Sequence, residues 1–281
     1  MHVATVTAPC GGLLSAVRDT LADADEALLC VAFAQARGVH LIADELERVA
    51  RRGRARVVVT TTLGATSDAA LSAMQLCGAS VRVLNPGSST YHPKVYLGRR
   101  GATLMGVVGS ANLTSGLVAN METATALQGS EQDAAIADLW SWAERTWRDP
   151  RSVPWERRAE GLVEERIDAD LLALINAQVR REPTLYTLGT SPKPNFVRDA
   201  TPSGIWVETD RTRASKTGAQ VVSPRMLNLA WDVLKARGEL SNRTLLDELR
   251  VHRSSFVCAL LARLPGVEVV SSRPIVLGYA R

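Results

Sequence analysis

The sequence has few cysteines and no long apolar run, and each of these absences excludes a class of protein. Its four cysteines are scattered and form no Cys-x-x-C pair, which excludes zinc and redox motifs of that type. The longest apolar runs, such as 27–34, are far shorter than the roughly 18 residues that a membrane-crossing helix needs. The first ten residues show no basic segment leading into an apolar one. We therefore expect a soluble, cytoplasmic protein with free thiols and no membrane partner.

Lysine is also scarce, because only four of the 33 basic residues are lysine. The residues two positions before these lysines are His92, Ser191, Ala214 and Val233. None of them is acidic, so the Glu-x-Lys and Asp-x-Lys pairs of many metal-dependent nucleases are missing. No Walker A loop, His-Glu-x-x-His motif or Gly-x-Ser-x-Gly elbow is present either. We therefore expect neither a metal ion nor a cofactor.

The composition is otherwise that of a globular chain. It has 281 residues, of which 46% are apolar and 22% charged, and this length favours two domains over one. Residues 1–150 hold 13 basic and 14 acidic side chains, whereas residues 151–281 hold 20 and 15. A basic surplus confined to the second half is compatible with nucleic-acid binding and also with an ordinary solvated surface.

Hydrophobic spacing in the first 150 residues predicts an α/β fold with a mixed sheet flanked by helices. Two buried strands enclose one helix and form a β-α-β unit, and further elements follow. The predicted strands are 27–33, 56–61, 80–84, 91–97, 102–108 and 120–127, and the predicted helices include 42–50, 69–77 and 136–147.

We predict three segments: a catalytic domain at 1–150, a connecting helix with an irregular linker at 151–223, and a C-terminal domain at 224–281. The pattern of the last segment predicts three helices followed by a β-hairpin, an arrangement that resembles a winged helix-turn-helix. In that fold the third helix usually enters the major groove of DNA, although such modules also mediate protein contacts. The predicted DNA-binding residues are Arg250, His252, Arg253, Ser254 and Arg273, together with Arg211, Arg213 and Lys216.

The chemically informative segment begins at Tyr-His-Pro-Lys-Val-Tyr-Leu, residues 91–97. In a strand, the period of two places His92 and Lys94 on the same face. Ser110 and Asn112 follow the turn-forming Gly109 at the end of the next predicted strand. A hydroxyl and an amide beside an imidazole and an ammonium can bind the oxygens of a phosphodiester.

Glu122 lies on the following predicted strand. Its carboxylate can accept the proton of one imidazole nitrogen and leave the other nitrogen free to attack.

The segments HPK and GSANLTSG, with Asn120-x-Glu122 downstream, resemble the His-x-Lys motif of the phospholipase D superfamily, and most closely its nuclease branch, which includes metal-independent restriction endonucleases. The resemblance covers about residues 10 to 150. It implies a two-step reaction in which one histidine forms a phosphohistidine and a second protonates the leaving oxygen. It implies the following roles: His92 as nucleophile or acid, Lys94 and Asn112 as stabilisers of the phosphorane, Ser110 as their support, and Glu122 as the residue that orients the imidazole.

The sequence departs from this family in two ways. The motif's aspartate, five residues after Lys94, is replaced by Arg99, which points away from the lipid-cleaving members. No histidine besides His92 has a lysine two residues later, so the chain holds half of a site. A homodimer whose two motifs meet at a two-fold axis supplies the other half.

The resemblance therefore predicts a homodimeric, metal-independent DNA endonuclease, with a role in restriction or phage defence and room for a further defence subunit. Two alternatives stay open at this point. One is a hydrolase of phospholipids or other small phosphodiesters. The other is a catalytically weak DNA-binding or assembly protein that uses the domain to dimerise, which only Arg99 favours.

Overall fold

A computed structural model describes residues 1–64, 66–87, 89–156 and 166–280. The chain divides into two compact units, residues 1–163 and 164–281. Among the described residues, no helix is both long and apolar enough to cross a membrane.

The first unit alternates strands and helices from its first residues. Its elements are β1 His2–Ala8, α1 Leu13–Ala22, β2 Glu26–Val31, α2 Ala36–Leu41, α3 Ala43–Arg52, β3 Arg54–Val59, α4 Asp68–Leu76, β4 Ser80–Leu84, β5 Lys94–Arg100, β6 Thr103–Gly109, α5 Gly116–Ala119, β7 Glu122–Ser130, α6 Ala134–Arg148 and β8 Ser152–Pro154.

Eight of these strands form one mixed sheet in the order β1-β7-β6-β5-β2-β3-β4-β8. Strands β2, β3 and β4 are parallel, and all other neighbours are antiparallel. Consequently the ends of β2, β3, β4 and β6 meet the beginnings of β5 and β7 at one edge of the sheet. The predicted α/β class, with a mixed sheet flanked by helices, is confirmed.

Helices cover both faces of this sheet, as neighbouring residues of β5 show. Leu97 is fully buried in a cluster with Ile136 and Trp140 of α6, and this is the apolar helix face that the sequence spacing predicts. Gly98 points to the opposite face, where an added Cβ would lie within 3.0 Å of the Thr20 carbonyl oxygen of α1. The sheet therefore forms the middle layer of a three-layer unit.

The second unit contains two smaller antiparallel sheets. Its elements are α7 Ala169–Arg181, β9 Thr184–Tyr186, β10 Pro194–Thr201, β11 Gly204–Thr209, α8 Asp210–Ala214, β12 Gln220–Val222, α9 Pro224–Arg237, β13 Glu239–Ser241, a π-helical turn Thr244–Glu248, α10 Ser254–Leu261, β14 Val267–Ser272 and β15 Ile275–Tyr279. The sheet orders are β12-β11-β10-β9 and β13-β15-β14.

Residues 184–223, in the segment predicted to contain an irregular linker, thus carry the four strands β9 to β12. The predicted division into three segments stays a prediction, and the structure adds two observations to it. Residues 152–154 extend the first sheet, because β8 pairs with β4, whereas residues 157–165 of the predicted linker lie outside the described residues. From α9 onward the element order is helix, strand, π-helical turn, helix and two strands.

The third helix of this C-terminal segment is not a surface helix. Along α10 every residue from Phe256 to Leu261 is buried, and Ser254 is only 4% exposed. A helix that enters the major groove must present several polar side chains to the DNA, and α10 presents only Ser255 to solvent. The burial of α10 speaks against a helix that reads the groove, and the role of Ser254 as a contact residue stays a prediction.

Candidate active site

His92 and Lys94 lie together at the sheet edge where β5 begins. The predicted strand started at Tyr91, but β5 starts at Lys94, so His92 belongs to the segment that leads into the strand. The Lys94 Nζ lies 2.7 Å from His92 Nδ1, 3.0 Å from Nε2 and 3.0 Å from the His92 carbonyl oxygen. Lys94 is 8% exposed, whereas His92 faces solvent. The solvent-facing imidazole of His92 is thus in direct contact with the buried ammonium of Lys94.

Burial disfavours the charged form of Lys94 and lowers the pKa of its ammonium. The negative charge of Glu122 acts in the opposite direction and raises that pKa. The two groups are therefore coupled electrostatically, although they lie on strands that are separated by β6.

Phe33 links His92 to Asn112. The Phe33 backbone N–H, two residues beyond β2, donates to Asn112 Oδ1 at 3.2 Å. The Phe33 ring meets the His92 ring edge to face, with centroids 5.6 Å apart and planes at 73°. Asn112 Oδ1 is thereby engaged, and its NH2 group can donate to a substrate oxygen. Sequence reasoning placed Phe33 at the end of a strand and gave it no role in the site.

A second group of polar side chains surrounds Glu122 at the beginning of β7. Ser110 Oγ donates a hydrogen bond to Glu122 Oε2, and Asn120 Nδ2 donates to Glu122 Oε1 at 3.1 Å. The Thr123 backbone N–H donates to Ser110 Oγ at 3.1 Å. Both carboxylate oxygens of Glu122 are thus held by neutral donors.

Glu122 was expected to orient the imidazole, but among the described residues its side-chain partners are Ser110 and Asn120 rather than His92. The strand order explains this, because β6 separates β7 from β5 and the loop that follows β6 comes between them. Within one chain, Glu122 therefore positions Ser110 directly.

Two features fix the loop that carries Ser110 and Asn112. The hydroxyl of Tyr96, which is fully buried in β5, donates to the Ala111 carbonyl oxygen at 3.0 Å, and burial raises the pKa of Tyr96. Gly109 ends β6 beside β7, where an added Cβ would fall within 3.0 Å of the Thr123 carbonyl oxygen and of Ala124 Cβ. Only glycine allows this close approach of the two strands.

Arg99 lies at the far end of the same strand. It is five residues beyond Lys94 on β5, which corresponds to about 17 Å at the usual rise of a strand. There its guanidinium pairs with Glu131 at 2.6 Å. The position of the motif's missing aspartate is therefore remote from the imidazole, and Arg99 no longer favours a catalytically weak protein.

The basic residues predicted to bind DNA all lie in the second unit. Arg211 and Arg213 are exposed on α8, and Lys216 follows that helix. Arg250, His252 and Arg253 occupy the turn before α10, where Arg253 donates to Gln220. Arg273 lies between β14 and β15 and donates to Thr190.

Comparisons with known proteins bear on the fold. No protein-family model and no curated protein match the chain. Among solved structures, Nuc of Salmonella typhimurium, a phospholipase D family member, is 17% identical with a TM-score of 0.45 over 55% of this chain and 98% of that one. This is a likeness of fold between the chain and that structure.

Two further structures show the same likeness. NucT of Helicobacter pylori is 14% identical with a TM-score of 0.40, over 55% of this chain and 99% of that one. A phosphatidylserine synthase of Haemophilus influenzae is 14% identical with a TM-score of 0.41, over 55% of this chain and 40% of that one. At these identities the likenesses concern the fold alone, and the roles of the site residues are argued from their geometry.

Proposed function

We propose that the first unit is a phosphodiesterase that works through His92 and that the whole protein is a DNA endonuclease. The observation that carries this proposal is the solvent-facing imidazole held on the buried Lys94 ammonium, at the same sheet edge as Ser110 and Asn112. A phosphodiester that approaches this edge meets a nucleophile, a cation and neutral hydrogen-bond donors. These are the groups that phosphoryl transfer requires.

In the proposed reaction a ring nitrogen of His92 attacks phosphorus, a P–N bond forms, and the P–O bond to the leaving oxygen breaks. An imidazolium gives its proton to that oxygen. Water then attacks the phosphohistidine, gives a proton to the now neutral imidazole and breaks the P–N bond. Lys94 and Asn112 offset the charge that develops on the phosphoryl oxygens.

This reaction needs two imidazoles, and only His92 has a lysine two residues later. We propose that a homodimer brings two copies of His92 to one phosphorus atom across a two-fold axis. In this proposal the carboxylate that orients each imidazole comes from the Glu122 of the other copy. Such a dimer has one active site for two chains.

The first test is cleavage of DNA in the presence of EDTA. The proposal expects cutting to continue, and expects His92→Ala to abolish it while the matched control His2→Ala, at an exposed position in β1, retains it. Loss of cutting in EDTA, or an active His92→Ala protein, contradicts the histidine mechanism. Recovery of a DNA strand bound through its phosphate to His92 after a rapid alkaline quench, which preserves the acid-labile P–N bond, supports it directly.

The composite site can be tested with mixed dimers. When equal amounts of native and His92→Ala chains are refolded together, only dimers of two native chains carry both imidazoles, so about one quarter of the native activity should remain. Independent sites in each chain would leave about one half. The latter result contradicts the dimeric site but not the role of His92.

We further propose that the cations of the second unit hold the DNA: Arg211, Arg213, Lys216, Arg250, His252, Arg253 and Arg273. Removal of one phosphate contact should weaken binding and lower the salt dependence of log K by about one unit of slope. A role in cytoplasmic restriction or phage defence, with a further subunit, belongs to the same proposal. It is tested by the plating efficiency of phage on cells that carry the native or the His92→Ala gene.

A further inference from the structure

The outer face of the four-stranded sheet in the second unit carries an unusual set of side chains. Residues of these strands alternate between a buried face and a solvent face, apart from a shift of register between Val197 and Asp199 in β10. The buried residues are Leu185, Asn195, Val197, Ile205, Val207 and Val222. The opposite face carries an aromatic ring on each of three adjacent strands: Tyr186 on β9, Phe196 on β10 and Trp206 on β11.

These rings are accessible. Tyr186 is 48% exposed, and Val221, which pairs with Trp206 across β11 and β12, is also 48% exposed. Phe196 and Trp206 are half-buried. The sequence has only 13 aromatic residues, so three of them on one solvent face of a small sheet are a marked concentration of exposed apolar surface.

Two arginines lie on the same face. The Arg213 guanidinium is 4.4 Å from the centroid of the Phe196 ring, and the Arg198 guanidinium is 6.0 Å from it. Arg198 also binds Glu208 at 2.6 Å, and Arg213 lies 3.9 Å from the same carboxylate. One carboxylate shared between two guanidiniums leaves a positive surplus beside the ring.

Three further cations lie in the segments that directly precede or follow the strands of this sheet. Lys193, Arg211 and Lys216 are exposed, and within the described part of the chain no carboxylate lies at ion-pair distance from them. Residues 184–222 contain five basic and three acidic side chains, so the charge around the rings is positive. The surface is therefore suited to a polyanion that also offers flat apolar groups.

We propose that this face binds an unpaired nucleic-acid strand, with bases stacked on Tyr186, Phe196 and Trp206 and phosphates bound by the surrounding arginines. A single strand offers both planar bases and a negative backbone, which is the combination that an aromatic and basic surface recognises. In a duplex the base faces are covered by their neighbours, so duplex DNA cannot use the rings. The inference goes beyond the proposed endonuclease and does not depend on cleavage.

The test measures binding by the full chain that carries His92→Ala, so that cleavage does not interfere. The probes are labelled oligothymidylate, oligouridylate and a duplex of the same length, followed by fluorescence anisotropy. Tyr186→Ala and Phe196→Leu should each weaken binding of the single strands by about tenfold, which is the loss expected from one stacked base. The DNA and RNA probes show whether the strand is recognised by its bases alone or also by its sugar.

Val221→Ala is the matched control, because it trims an equally exposed side chain on the same face without removing a ring. It should leave binding unchanged within about twofold. Phe196→Tyr, which keeps the ring, should bind as the parent does. Should Phe196→Leu fail to fold by circular dichroism, Tyr186→Ala decides, because its side chain is half-exposed.

The proposal is overturned if the ring variants bind single strands as tightly as the parent, or if they lose affinity for the duplex to the same extent. The first result would indicate that the aromatic face binds a protein partner rather than a nucleic acid. Neither result affects the test of the proposed function, which rests on cleavage by the native chain and on its loss in His92→Ala. Conversely, an inactive native chain that still binds single strands through these rings would contradict the endonuclease and support this inference.

Discussion

Gly109 offers the sharpest test of how the fold builds the candidate site. It ends β6 against β7, and a Cβ there would fall within 3.0 Å of Thr123 O and Ala124 Cβ. These neighbours belong to the backbone of a paired strand or are bonded directly to it, so they cannot rotate away. In Gly109→Ala the two strands must separate by about half an ångström, and overpacking of this kind costs about 1–3 kcal/mol in the free energy of unfolding. For a unit of this size the melting temperature should fall by about 2–12 °C.

The same displacement should reduce activity. Ser110 follows Gly109 directly, and its hydroxyl is bound by the Thr123 N–H and by Glu122, so a shift at this junction moves the site itself. Because a misplacement of about 1 Å can cost a hundredfold in rate, a shift of about half that size should cost about tenfold in kcat.

Gly106→Ala on the same strand is the control. There the nearest atom to an added Cβ is the end of the flexible Leu97 side chain at 2.8 Å, which can give way. Thermal melting and steady-state cleavage of DNA should place Gly106→Ala close to the native protein. If Gly109→Ala matches Gly106→Ala in both stability and rate, the close approach of β6 and β7 is not what positions the site.

Three further substitutions test the interaction of Glu122 with Lys94, the ion pair of Arg99 and the backbone angle of Lys216. Glu122→Gln removes the negative charge that raises the pKa of the Lys94 ammonium, so this pKa should fall further. The alkaline limb of the pH–rate profile should therefore move to lower pH. An unmoved limb would show that the two groups are not coupled. Arg99→Asp breaks the ion pair with Glu131 and should cost about 0.5–1 kcal/mol in a denaturant titration, with the cleavage rate unchanged; a gain in rate would contradict its remote placement. Lys216 has a φ of 54°, so Lys216→Gly should raise stability by about 0.5–1 kcal/mol while lowering the salt slope of DNA binding, and an unchanged slope would exclude it as a phosphate contact.

The first unit was largely predictable because its core strands and helices carry strong periodic signals. The helix from Ile136 to Trp147 and the strand at 80–84 agree with α6 and β4. The edge strand β1 was missed, since His2–Ala8 is mostly exposed and has few large apolar residues. Its order depends on pairing with β7, and a partner more than a hundred residues away leaves no local pattern in the sequence.

The second unit was less predictable for the same reason. Strands β9 and β12 have three residues each, and a run that short cannot show a period. They exist because β10 and β11 offer them free edges and because their inner residues complete a common core. The burial of α10 could be predicted, since Phe256–Leu261 is apolar all around, and a helix of that kind belongs inside a protein.

The candidate site was predictable in its residue types but not in its contacts. The motif identifies His92, Lys94, Ser110 and Asn112 by spacing, because β5 and β6 form a local hairpin whose register fixes their neighbours. The Phe33 N–H that holds Asn112 comes from the segment that leaves β2, 79 residues earlier in the chain. Such a contact depends on the order of strands in the sheet, which spacing does not reveal.

The strand order also explains why chemistry gathers where it does. Backbone hydrogen bonds run from the Ala32 N–H to Pro93 O and from the Thr60 N–H to Ala32 O, so the segments that leave β2 and β3 and the segment that enters β5 are tied side by side. At this edge the backbone pairing of the strands ends, and side chains such as His92 face solvent instead of the core. A buried lysine is tolerated there because its ammonium finds the His92 carbonyl oxygen and imidazole within 3.0 Å. The interior thus fixes the position of Lys94, and the edge leaves the His92 imidazole accessible to solvent.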